Sequence, residues 1–89
     1  MKLVQTCEAC PEQYDVVLDS GKIVGYLRLR WSHFTVEYLP TGGLNGDEEL
    51  VYEATIDDTG WSGGFSTEAQ RCEHLGRALA ALCERMAHP

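Results

Sequence analysis

Positive charge is scarce in this chain. Seven Lys and Arg stand against 14 Asp and Glu in 89 residues, a formal net charge of −7. An excess of acid repels phosphate and anionic lipid, so direct binding of nucleic acid or of a membrane surface is not expected. Long apolar runs are missing as well. Nothing approaches the ~20 residues needed to span a bilayer, and Met1 to Thr6 lack the apolar core of a secretory signal, so the expected location is a cytoplasm. Proline is rare, at 3 residues, while 44% of the chain is hydrophobic, a balance that excludes a disordered acidic tail.

Catalytic signatures are absent too. There is no P-loop, no G-x-S-x-G elbow and no H-E-x-x-H pair. His33, His74 and His88 have no nucleophile or orienting acid at a telling spacing. The glycine-rich stretch Gly60-Trp61-Ser62-Gly63-Gly64 lacks the lysine of a phosphate cradle, and Asp57-Asp58 ahead of it would repel phosphate. Asn45, Asp47, Glu48 and Glu49 miss the order of a calcium loop. The expectation is a non-enzyme without a cofactor.

What is present fits one domain over residues 1–89, large enough to bury a little over ~60% of its unfolded surface. Its charge is unevenly placed. Between Glu37 and Glu73 nine acids meet a single base, Arg71, a local charge of −8, whereas Lys22, Arg28 and Arg30 fall in a stretch with no acid. The pattern reads as a basic strand followed by an acidic half.

Period-2 alternation marks the strands. Gln13 to Asp19 places Tyr14, Val16 and Leu18 on one face, and Ser20-Gly21 then forms a hairpin turn. Lys22 to Arg30 places Ile23, Leu27 and Leu29 opposite Lys22, Tyr26, Arg28 and Arg30, with Gly25 marking a bulge or a close neighbour. After a turn at Trp31-Ser32-His33, Phe34, Val36 and Tyr38 alternate with Thr35 and Glu37. Leu50 to Ile56 follows a Gly/Asn loop, with Leu50, Tyr52, Ala54 and Ile56 on one side, and Lys2 to Thr6 adds an edge strand. The last element is a helix opened by Ser66 or Thr67, with Thr67-Glu68-Ala69-Gln70 as a capping box and an apolar stripe of Cys72, Leu75, Leu79, Leu82, Cys83 and Met86. The predicted fold is α+β: a four- to five-stranded antiparallel meander with one C-terminal helix across one face. The other face, bearing Asp15, Lys22, Tyr26, Arg28, Arg30, Thr35 and Glu37, is left to water or a partner.

Four cysteines raise a metal question. Cys7 and Cys10 have the C-x2-C spacing of a zinc knuckle, but Cys72 and Cys83 lie about 16 Å apart along one helix, too far to complete one site or to form a disulfide. The cysteines are expected to be small buried hydrophobes; a zinc-binding accessory domain using Cys7 and Cys10 is the alternative. Interaction features are better represented. Trp61 in its glycine-rich loop and Tyr26 beside Arg28 are residue types that anchor interfaces. The carboxylates of Asp47, Glu48, Glu49, Glu53, Asp57 and Asp58 could imitate a run of phosphates and occupy a basic groove.

The segments Cys10-Pro11-Glu12-Gln13-Tyr14-Asp15-Val16, Gly25-Tyr26-Leu27-Arg28-Leu29-Arg30, Phe34-Thr35-Val36-Glu37-Tyr38 and Val51-Tyr52-Glu53-Ala54 resemble small uncharacterised proteins of phage and prophage type. The resemblance covers about half the chain, assigns no catalytic role and transfers no site residue; its pattern has no cysteine at the position of Cys7. It implies a setting in the host-cell cytoplasm, where small acidic phage products, anti-CRISPR inhibitors among them, act by occupying a host protein. The expected function is accordingly a non-enzymatic inhibitor of a host protein or nucleoprotein complex with a basic groove. Self-association into a homodimer or a minor structural subunit through the free sheet face is the remaining alternative.

Overall fold

The computed structural model describes residues 1–7, 12–42, 46–56 and 64–87. Five strands, β1 (Lys2–Cys7), β2 (Glu12–Val17), β3 (Ile23–Arg30), β4 (His33–Tyr38) and β5 (Glu49–Thr55), precede one helix, α1 (Glu68–Ala87). The strands form a single antiparallel sheet in the order β1-β2-β3-β4-β5, a meander in which each strand pairs with its successor. This is the expected α+β arrangement with all five strands present. No helix among the described residues is long and apolar enough to cross a membrane.

The core lies between one face of the sheet and α1. Tyr14 and Val16 of β2, Val24, Leu27 and Leu29 of β3, and Phe34 and Val36 of β4 are buried there with Ala78 and Leu82 of the helix. Alternation turns the intervening residues to the uncovered face. The helix crosses closely at Gly25, where a Cβ would lie 2.6 Å from Leu82 Cδ1. The missing side chain makes room for Leu82 to pack directly on the strand.

Two bulges change which residues face the helix. Between β2 and β3 the register shifts at Val16/Val17, so Val24 and Gly25 are both buried and Ile23 pairs with Val17 on the uncovered side. The expectation that Ile23 shares a face with Leu27 and Leu29 is therefore corrected. A second shift, between Val36 and Glu37, pairs Glu37 with Leu50 and leaves Leu50 51% exposed, whereas Val51 packs against the core. Leu50 does not share a side with Tyr52. In both cases an extra residue in one strand reverses the alternation beyond it, which period-2 reading cannot detect.

The helix begins as expected, and Leu75, Leu79, Leu82 and Met86 of its apolar stripe pack in or against the core, whereas the two cysteines of the stripe do not. Thr67 Oγ1 accepts the backbone N–H of Gln70 at 3.0 Å, and Gln70 Oε1 accepts that of Ser66 at 2.9 Å, a capping arrangement that satisfies two otherwise unpaired donors. Cys72 and Cys83 are exposed, so the reading of the cysteines as buried hydrophobes fails at both positions; Cys7 is half-buried on β1. Arg71 and His74, read as outside the apolar stripe, point toward the sheet instead. His74 stacks on Phe65, with ring centroids 5.8 Å apart, and its Nδ1 lies 3.1 Å from the Tyr52 hydroxyl. An imidazole ring and an arginine stem both pack as apolar bodies with a polar tip, so a hydrophobicity count misplaces them.

Candidate protein-interaction surface

The interior polar cluster was not legible in the sequence. Glu12, 1% exposed, starts β2 and turns its carboxylate under the N-terminus of α1. Arg71 grips it with a fork, Nε to Oε2 at 2.9 Å and Nη2 to Oε1 at 3.2 Å, while the Tyr14 hydroxyl and the Phe65 backbone N–H, the latter at 3.3 Å, complete its donors. Burial alone would push the Glu12 carboxyl up, but the hydrogen bonds from Arg71, Tyr14 and Phe65 and the charge of Arg71 outweigh it and hold the group below its ordinary value. Burial, reinforced by the neighbouring Glu12 carboxylate, pushes the Tyr14 phenol up to about 12. Among the described residues these donors come from β2, from Phe65 and from α1, so the cluster ties helix to sheet.

The uncovered face of the sheet is different in kind. Across its middle runs the row Val4, Asp15, Tyr26, Glu37 and Leu50, one residue from each strand. The adjacent row is Cys7, Gln13, Arg28, Thr35 and Glu53. Val4, at 39% exposure, and Leu50, at 51%, are among the few large apolar side chains open to solvent, and the β5 bulge is what places Leu50 there. Among the described residues none of Asp15, Glu37 and Arg28 enters an ion pair. At the β3–β4 turn, Trp31 and Ser32 both take positive φ, 55° and 61°, a conformation costly to side chains other than Gly and Asn. The turn holds Trp31 out at 58% exposure with the Arg30 guanidinium 5.8 Å from its ring.

The expected site residues are only partly gathered. Tyr26 is on the uncovered face and Glu53 is there too, 3.4 Å from His33 Nε2. Asp47 and Glu48 precede β5, where Asp47 accepts the Thr41 hydroxyl at 3.2 Å and Glu48 the Gly46 N–H at 2.9 Å. Glu49 turns to the helix side and pairs with Arg85 at 2.7 Å. Glu68 and Glu73, also in the acidic stretch, lie on the helix beside Arg71 and Arg77. Asp57, Asp58 and Trp61 fall outside the described residues, as does Cys10. The described acids thus spread over both sides of the domain and do not line up as one face. Trp31, not singled out from the sequence, is the exposed tryptophan the structure supplies; its non-glycine turn beside two basic residues was the available signal.

Among the described residues no three His, Cys, Asp or Glu side chains gather as a metal site would require. No protein-family model matches the chain, and neither a curated protein nor a solved structure does.

Proposed function

We propose that this chain is a non-enzymatic protein-binding domain whose contact surface is the uncovered face of its sheet. One observation carries the reading: Tyr26, Val4 and Leu50 share a row on that face with two carboxylates that have no ion-pair partner among the described residues. A half-buried tyrosine between charges and exposed aliphatic side chains has the composition of an interface centre with a polar surround. The phage-type resemblance supports a role in which the protein works by occupying a partner.

Photo-crosslinking in cells tests this. A benzophenone amino acid at Gln13 or Thr35, on the uncovered face, is expected to give protein adducts, while the same probe at Ala80, exposed on the helix, gives none. Adducts confined to Ala80 overturn the proposal. The narrower reading, inhibition of a nucleic-acid-handling complex through the acidic half, rests on the linear −8 between Glu37 and Glu73 alone, since the described acids of that stretch divide between the two sides of the domain. It requires capture that weakens steeply with salt and fails when Asp57 and Asp58 are reversed in charge. A contact centred on Tyr26 depends instead on Tyr26→Ala.

A further inference from the structure

The two rows on the uncovered face are chemical opposites. In one, the Tyr26 ring lies between the carboxylates of Asp15 and Glu37 on the adjoining strands, an arrangement suited to receive a cation. In the next, about 7 Å along the strands, Arg28 lies between Gln13 and Thr35, a cation flanked by an amide and by a hydroxyl that donates to the Arg28 carbonyl at 3.5 Å. We propose that this face pairs with the same face of a second copy of the chain, so that Arg28 of each copy lies over Tyr26 of the other, between Asp15 and Glu37. The inference rests on reading this face as the contact surface and names its occupant.

Symmetry selects the arrangement. A two-fold axis along the strands under β3 would set Arg28 against Arg28 and Asp15 against Glu37, so the charged groups at the centre would meet their own sign. An axis across the strands, passing between the two rows, exchanges the rows and keeps each strand opposite itself. Arg28 then meets Tyr26, Gln13 meets Asp15 and Thr35 meets Glu37, so the Asp15 carboxylate faces the Gln13 amide and each guanidinium a ring, while at the two edges Val4 meets Cys7 and Leu50 meets Glu53. The same operation carries Trp31, at the end of β3, toward Val17 and Ile23, the apolar pair that the bulge leaves on this face. Pairing through the sheet edges is disfavoured, because β1 and β5 each carry a register shift against their neighbour that breaks the line of backbone groups. Five strands ~4.8 Å apart and ~20 Å long cover on the order of 1,000 Å² over both copies, the low end of specific interfaces, so the dimer dissociates on dilution.

Sedimentation equilibrium from micromolar to millimolar protein tests the pairing. The mass is expected to climb from 9.9 kDa toward twice that value. Arg28→Glu alone, and Asp15→Arg with Glu37→Arg, each make the two rows alike in sign and are expected to weaken association on the order of 100-fold, as like charges brought together require. An equimolar mixture of the two variants regains the dimer, since each supplies the sign the other has lost; that recovery also shows that both variants fold. A wild type that is monomeric at millimolar concentration, or a dimer indifferent to the reversals, overturns the self-pairing. The two readings fail separately. A monomer that still crosslinks foreign protein from Thr35 removes only the second copy, whereas crosslinks from Ala80 alone remove the contact surface as well.

Discussion

At Glu12 a carboxylate is held inside a small domain by four donors from three parts of the chain, two of them on one arginine fork. Taking one partner away leaves a buried group unmatched, which costs more than the pair contributes over apolar substitutes. Glu12→Gln leaves Arg71, which is 28% exposed and keeps Glu68 as a partner, so the expected loss of stability is ~1–3 kcal/mol in urea unfolding. The pH dependence follows from the direction of each shift. Glu12 has its folded value below the ordinary 4.5, so its contribution is full above that pH and is lost as the pH falls through the folded value; the Glu12→Gln variant should lose less stability over the same acid range. Tyr14 runs the other way. Its phenol rises from 10.0 to about 12, so its contribution is present below pH 10 and disappears between 10 and 12. In a phenolate absorbance titration Tyr14 should ionise later than an ordinary tyrosine, and Glu12→Gln should bring it back toward 10. None of this was legible beforehand. Glu12 looks like any surface acid, and its partner Arg71 is 59 residues away.

At the scale of the elements, the strands and the helix were legible because each has its own period, and their faces were legible only up to the first bulge. Ile23 and Leu50 sit on the uncovered face, and Arg71 and His74 on the helix side, because register and helix rotation answer to neighbours that local alternation does not contain. The close crossing at Gly25 was foreshadowed by the glycine inside a strand, and it gives an element-level prediction. In Gly25→Ala the new methyl meets Leu82 Cδ1 at 2.6 Å and Val16 at 3.2 Å, both fully buried, so the Leu82 side chain or the helix that carries it must give way. Overpacking of this kind is expected to cost ~1–3 kcal/mol in a denaturant titration. Combining it with Leu82→Ala should cost less than the sum of the two single changes, because the space removed is the space required.

For the whole molecule, the fold returns the arginines of the helix to the acids of the middle of the chain. Arg85 reaches Glu49 across 36 residues, while Arg77 and Glu73, 3.5 Å apart, pair locally along the helix. The described acids of the −8 stretch therefore do not form one surface, and Asp15, Glu37 and Arg28, which enter no ion pair among the described residues, lie on the uncovered side of the sheet. The same topology ranks local stability. β3 is paired on both sides and carries Leu27 and Leu29 at zero exposure, whereas β1 and β5 are edges. Native-state hydrogen exchange should show the Leu27 and Leu29 amides opening last and β1 opening well before them, and Glu12→Gln should speed exchange first at the start of α1. By itself the sequence determined the α+β class, the meander, the helix cap and the sign of the charge, because local periods, turn residues and composition decide those. Only the tertiary structure decided which charges are buried, which are paired and which stand open on the sheet, because each depends on side chains brought together from strands and helix far apart in the chain.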